Sequence, residues 1–175
     1  MDTSSYTIRP VAISDAPALR ALRFEALSNH PSAIAADPAQ VAAESDAQWG
    51  ERITGYLTGD RVTVFVAETP AGLAGMAGVD RGHWPNTRHS TYIWGVYVRP
   101  DWRGTGAAGA LLQACEDWAQ ALGVTILKLG VAVTNIPAIR SYAKAGFTVY
   151  GVDPRALRLD GKYIDELLMA KVIGE

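Results

Sequence analysis

A single cysteine stands among 175 residues, so no disulfide can form within the chain. That residue, Cys115, falls on the apolar side of a helical pattern, where a lone thiol is ordinarily a small buried hydrophobe and not a nucleophile. Long hydrophobic runs are missing as well. Nothing approaches the ~18 uninterrupted apolar residues of a membrane-spanning helix, and the opening MDTSSYTIRP has no apolar core of an export signal. Neither membrane nor export is indicated, and a cytoplasmic protein is expected. Charge of one sign is also lacking, since 16 Lys and Arg against 18 Asp and Glu leave a net charge of -2. So small a balance excludes the broad positive field that binding to nucleic acid or an anionic membrane surface requires. No repeat or low-complexity linker interrupts the text, and with 49% hydrophobic residues the chain can bury one substantial core. Residues 1–175 are therefore read as one domain.

What is present centres on Ser90 to Leu122, STYIWGVYVRP followed by DWRGTGAAGALLQACEDWAQAL. Tyr92 to Val98 is rich in β-branched and aromatic residues, and Pro100 stops the strand they predict. From Thr105 onward Ala108, Leu111, Leu112, Cys115, Ala119 and Leu122 recur at helical spacing, with Gln113, Glu116, Asp117 and Gln120 opposite. Between strand and helix lies Arg103-Gly104-Thr105-Gly106-Ala107-Ala108, where side chains almost vanish. The first N–H groups of a helix have no intrahelical partners and sit at the positive end of its dipole. Glycines let an anion approach them closely, so the loop reads as a pyrophosphate cradle; the plainer reading is a tight turn made by Gly104 and Gly106. A Walker loop is excluded because no Lys-Ser or Lys-Thr follows the glycines. A dinucleotide fingerprint fits Gly104, Gly106 and Gly109 by spacing, but no acidic residue ends a second strand about twenty residues on, as ribose binding needs.

Val98-x-Pro100-x-x-Arg103-Gly104-x-Gly106-x-Ala108 resembles the acetyl-CoA-binding signature, Q/R-x-x-G-x-G/A, of the GNAT acyltransferases. Asn135-x-x-Ala138-x-x-x-Tyr142-x-x-x-Gly146-Phe147 resembles a second signature of that family at its usual distance. The resemblance runs from the opening strand to the closing one and weakens between about Asn29 and Asp60. It implies acetyl-CoA as the acyl donor and a primary amine as the acceptor, either a small molecule or a protein's N-terminal or lysine amine, attacking directly in a ternary complex. Homodimers are common among such proteins. It also implies cofactor contacts from the backbone of Val96, Tyr97 and Val98, with Gly95 allowing a bulge. Further contacts would come from Arg103, Gly104, Thr105, Gly106, Ala107 and Ala108, and from Asn135 and Tyr142. Tyr142 takes the catalytic role, serving the leaving thiolate, its plainer reading being a core aromatic on the helix with Ile139 and Ala143, and no metal is called for.

Taken in order, Tyr6 to Arg9 suits a short strand bounded by Pro10. Ser14-Asp15-Ala16-Pro17 starts a helix whose buried stripe is Leu19, Leu22, Ala26 and Leu27, and Asn29-His30-Pro31 ends it, His30 serving as a cap or turn residue. Pro38 to Gly55 suggests one helix beginning near Asp37. Val62–Glu68 and Leu73–Val79 form a hairpin across Thr69-Pro70-Ala71-Gly72, and Asp80 to Ser90 is a polar loop. Val124–Val133 follows the central helix and, because a helical crossover joins them, should lie parallel to Tyr92–Val98. Asn135 caps a helix over Ile136–Ala145 that Gly146 closes, and Phe147–Gly151 and Tyr163–Val172 make a final antiparallel pair around a loop at Asp153–Gly161. A meander, one crossover and a returning pair make an α/β protein: a three-layer α/β/α sandwich with a mixed, mostly antiparallel sheet, the acyl-CoA N-acyltransferase fold.

Acetyl transfer needs a neutral amine, a polarised carbonyl and a place for the thiolate's charge. Deprotonating an amine of pKa near 10.4 at pH 7 costs about 4 to 5 kcal/mol. Backbone N–H groups around Val96 to Val98 would polarise the carbonyl. The phenol of Tyr142, at about 10, is a weaker acid than a thiol at about 8.5, so full proton transfer is uphill by roughly 2 kcal/mol and a strong hydrogen bond is the larger effect. Many relatives carry a glutamate on the central strand, where Thr91-Tyr92-Ile93-Trp94 has no carboxylate, which leaves a non-catalytic acyl-CoA-binding module as the alternative. Glu68, Asp80, His83, His89, Asp165 and Glu166 are candidate bases by chemistry alone, with a water relay ending at one of them. By family analogy the acceptor site lies between the Asp15–Leu27 helix, the loop after it and Asp153–Gly161, with Phe24, Trp49 and Trp84 as candidate lining.

Overall fold

The computed structural model describes residues 5–31 and 37–174. The first four residues of the chain and part of the loop beside the expected acceptor site therefore lie outside the described residues. The elements run β1 (Thr7–Pro10), α1 (Ala16–Asn29), α2 (Pro38–Ala43), α3 (Asp46–Thr58), β2 (Val62–Thr69), β3 (Gly72–Arg81), β4 (Ser90–Val98), α4 (Ala107–Ala121), β5 (Ile126–Ala132), α5 (Ile136–Lys144), β6 (Thr148–Leu159) and β7 (Lys162–Val172). The strands join in one sheet ordered β1-β2-β3-β4-β5-β7-β6. Among the described residues only the β4–β5 contact is parallel; every other neighbouring pair is antiparallel.

Helices cover the two faces of this sheet, which is why β2 and β3 are apolar on both sides and read as continuous runs rather than alternating ones. On one face α4 and α5 bury Leu111, Leu112, Cys115 and Tyr142 against Ile93, Leu127, Leu129 and Val131. On the other, α1 and α3 bury Leu19, Leu22, Leu27, Trp49 and Ile53 against Val64, Val66, Met76 and Tyr97. Cys115 lies wholly inside the first core, where burial pushes its thiol pKa up to about 12. Among the described residues no helix is long and apolar enough to cross a membrane.

The central pair is joined over a short length only. β4 and β5 bond through Ser90–Ile126, Thr91–Leu127 and Tyr92–Lys128. Beyond that point β4 continues with β3 as far as Val98 and β5 continues with β7 as far as Ala132. The facing edges of residues 93–98 and 129–132 thus diverge without bonding each other. A bulge accompanies the divergence: the β3–β4 register shifts between Met76 and Gly78, opposite Gly95, whose φ of 63° is open to a residue without a side chain.

Two sequence expectations need correction. The single helix read from Pro38 is two, because Asp37 caps the first at Ala39 and Ser45 opens a second with Gln48 in a reciprocal capping box. The loop read at Asp153–Gly161 is mostly strand: β6 continues to Leu159 and the chain reverses at Asp160-Gly161, with φ of 48° and 78°. That dipeptide is a hairpin turn signal, and it was the informative one. The strand is irregular in its middle, where its register against β7 shifts between Asp153 and Leu157 and Arg155 has φ 58°.

Leu127 is fully buried at the short parallel junction. Leu127→Ala is expected to cost about 2–5 kcal/mol of unfolding free energy, read as a lower denaturant midpoint with an unchanged slope.

Candidate active site

A cleft of about 1030 Å³ opens where β4 and β5 part. Its long wall is β4 from Tyr92 to Val98, and Gly130 and Val131 of β5 stand opposite. One end is the turn into α4, with Arg103, Gly104, Gly106, Ala107, Ala108 and Gly109; Asn135, Ala138, Ser141 and Tyr142 of α5 close the side.

The turn has the geometry of an anion cradle. Gly104 and Gly106 hold φ of 80° and 92°, which a Cβ would strain. Gly106 is the N-cap of α4, and the first intrahelical bond runs from the Ala110 N–H to the Gly106 carbonyl at 3.0 Å. The amides of residues 107–109 are the unpaired donors of a helix start. Arg103 is anchored by Nε to the Val98 carbonyl at 3.2 Å, and its Nη2 lies 2.9 Å from His30 Nε2. Burial, and then Arg103, hold the His30 pKa below its ordinary value. Thr105 does not line the cleft: its hydroxyl donates to the Trp102 carbonyl at 2.7 Å. Tyr97 reaches the cleft by its backbone side, since its ring belongs to the α1–α3 core and its hydroxyl donates to Glu25 at 2.8 Å. Asn135 both caps α5, accepting from the Ala138 N–H at 3.3 Å, and borders the cleft.

Tyr142 is 8% exposed and packs edge-on to Phe147 with ring centroids 6.2 Å apart. Among the described residues no side chain or carbonyl bonds its hydroxyl. Desolvation, and then Tyr92, raise its pKa above that of an ordinary phenol.

Side chains of β4 alternate, so Ile93 enters the α4–α5 core while Trp94 packs toward α1 and α3. On that second side stand groups the sequence did not bring forward. Arg23 of α1 lies with its guanidinium carbon 5.8 Å from the Trp94 ring centre, and its buried Nη1 has no hydrogen-bond partner among the described residues. The available signal was spacing: Arg23 sits four residues from both Leu19 and Leu27, on the buried stripe itself. Glu166 and Asp153, opposite each other in the β6–β7 ladder, also line the cleft. A Cβ at Gly130 would lie 2.6 Å from the Tyr92 hydroxyl and 2.7 Å from Glu166 Oε2, so the absent side chain leaves room for both groups. Burial, and secondarily Asp153, raise the Glu166 pKa above its ordinary value.

The remaining base candidates stand elsewhere. Glu68 pairs with Arg9, Asp80 lies 3.8 Å from Arg61, and His83 stacks edge-on to Trp84. The His89 carbonyl accepts from Thr125, and Asp165 accepts from the Arg155 N–H at 2.7 Å. None of these lines the cleft. Nor do the three aromatics considered for the acceptor: Trp49 is buried between α1 and α3, while Phe24 and Trp84 are exposed.

Comparison with known proteins agrees with this geometry. The model of the acetyltransferase (GNAT) family matches residues 24–147. The L-amino acid N-acetyltransferase AaaT of Escherichia coli is 32% identical over 139 residues, 76% of this chain and 80% of its own length. The L-methionine sulfoximine/L-methionine sulfone acetyltransferase of Pseudomonas aeruginosa is 28% identical over 169 residues, 94% of this chain and 93% of its own. A phosphinothricin acetyltransferase from Sinorhizobium meliloti, solved with acetyl-CoA, shares the fold with a TM-score of 0.80 at 22% identity, covering 97% of this chain and 89% of that one.

Gly106→Ala places a Cβ at φ 92° and is expected to cost about 1–2 kcal/mol of stability. It should also weaken acetyl-CoA binding roughly tenfold or more by turning the α4 amides, as calorimetric titration would register.

Proposed function

The chain belongs to the acetyltransferase (GNAT) family and moves an acetyl group from acetyl-CoA to an amine, and we propose that the acceptor is a small-molecule primary amine of the amino-acid kind. Both curated relatives named above act, by their names, on amino acids or close analogues of them. The carrying observation is the cleft itself: two parallel strands that part after three paired positions and end on the open first turn of a helix. We take residues 1–175 to work as one domain, and the setting to be the cytoplasm.

In this reading the amides of residues 107–109, with Gly104 and Gly106, hold the diphosphate, and the pantetheine arm occupies the open edge of β4 through backbone bonds at Val96 and Val98. The free edge of residues 93–98 aims amide donors at the thioester oxygen, where negative charge develops. Tyr142 donates a hydrogen bond to the departing sulfur. Its raised pKa keeps it protonated, so it acts as a donor throughout rather than as an acid that must recover its proton.

Proton removal from the amine falls to Glu166, directly or through a water, with Tyr92 beside it. Desolvation makes this carboxylate a stronger base than an ordinary one. Glu166 of β7 thus supplies the carboxylate that β4 lacks, and the case for a merely acyl-CoA-binding module loses its main support.

Thiol release from acetyl-CoA across an amine panel tests the assignment, with turnover expected for amino-acid acceptors. Tyr142→Phe should lower kcat about tenfold to a hundredfold with little change in acetyl-CoA affinity. Glu166→Gln should lower kcat and flatten the acid limb of the pH–rate profile, because the active form is the deprotonated one. The same variant has a stability signature. With its native pKa above the unfolded one, Glu166 weakens the fold as pH rises through that window, so Glu166→Gln should unfold at a higher temperature than the parent at neutral pH.

A further inference from the structure

We infer that Arg23 is an anion-binding residue for the acceptor, holding the carboxylate of an amino acid whose amino group faces Glu166; this rests on the acetyltransferase reading above. The Nη1 of Arg23 is buried, unpartnered among the described residues, and placed beside the backbone of β4, 2.6 Å from where a Cβ on Gly95 would stand. The guanidinium lies near the face of Trp94, and the Tyr56 ring centre is 6.5 Å from that ring. Among the described residues, ion pairs join Arg9, Arg20, Arg52, Arg61, Arg81 and Arg99 to carboxylates, but none joins Arg23. A buried cation without a counter-ion destabilises the fold, and the cost is recovered when a ligand supplies the anion. Burial holds its pKa below the ordinary arginine value, yet a guanidinium starts so high that it stays charged at neutral pH.

The position selects the ligand. Arg23 stands at the Trp94–Gly95 end of the cleft, whereas the diphosphate cradle is at the α4 end, after β4 has finished. Trp94 and Tyr92 lie two residues apart on one face of β4, about 7 Å along the strand. The first marks the cation and the second lies beside Glu166. A zwitterion lying along this edge of β4 would turn its carboxylate toward the guanidinium fork and its nitrogen toward the glutamate, each through a hydrogen bond. A plain alkylamine fills only the second half of the arrangement.

The test compares an L-amino acid with its amide and its decarboxylated amine, methionine and its two derivatives being suitable, by thiol release from acetyl-CoA. The parent should prefer the acid by roughly a hundredfold in kcat/KM, since a charged group left without its partner discriminates strongly. Arg23→Gln should shrink that preference at least about tenfold, mostly through KM for the acid, and Arg23→Lys should restore part of it. Methionine should raise the melting temperature of the parent saturated with CoA and not that of Arg23→Gln. A parent that acetylates all three equally, or a preference that survives in Arg23→Gln, overturns the inference and leaves the acetyltransferase assignment standing. Absence of thiol release with every amine overturns that assignment. The carboxylate site is then decided by the melting shift: it stands if methionine, but not its amide, stabilises the parent through Arg23, and falls if neither does.

Discussion

The structure depends on backbone bonds that are not made. Every neighbouring pair of strands but one bonds along most of the shared length, while β4 and β5 part after Tyr92–Lys128 and leave two polar edges facing a gap. Unpaired backbone groups are costly only where water and ligands cannot reach them. Here the gap is a cleft open at the α4 turn, and the unmade bonds become binding capacity. The remaining sheet keeps the gap from closing. β3 holds β4 to Val98 and β7 holds β5 to Ala132, so each half is rigid up to the edge that is free.

That division explains which parts of the molecule were legible in the sequence. Strand and helix types followed from periodicity, since Leu111, Leu112, Cys115 and Ala119 mark one face of α4 as plainly as any spacing can. The α4 turn at the mouth of the cleft was legible because its geometry is carried by the absence of side chains, and Gly104 and Gly106 announce that in the text. Capping oxygens were less dependable. Ser14 gives α1 no side-chain cap, and the Asp15 carboxylate instead binds the Ala12 N–H at 2.7 Å and Arg9.

The side of the cleft proposed for the acceptor was not legible, for a physical reason. Arg23, Tyr92, Gly130 and Glu166 come from four elements that meet only when the sheet has formed, and no two of them share a local pattern. Single aromatics drew attention because they are rare, but Trp49 and Ile53 simply fill the layer between α1 and α3. Arg23, with its unpartnered buried Nη1, looks in the sequence like one more surface arginine. Only its spacing from Leu19 and Leu27 sets it apart. The missing carboxylate on β4 pointed away from catalysis in the same one-dimensional manner, because β7 brings Glu166 to the cleft from 74 residues beyond Tyr92 (166 − 92).

Placing a charge on a helix is useful only if the helix cannot drift, and α1 is tied at several points to the end of β4. Glu25 accepts from the Tyr97 hydroxyl at 2.8 Å and from Arg99 at 3.0 Å. One turn further on, His30 meets Arg103 at 2.9 Å, and Arg103 reaches back to the Val98 carbonyl. The same residues that precede the α4 turn therefore position the helix that carries Arg23. Exposed, each of these contacts would contribute about 1 kcal/mol or less. Their value lies in geometry: Tyr97, Arg99 and Arg103 follow one another along a single turn of backbone, so an α1 displaced from its seat would break all of them together. The α4 turn and the helix that carries Arg23 are thus built on one rigid corner, with the open strand edge between the proposed donor and acceptor sites.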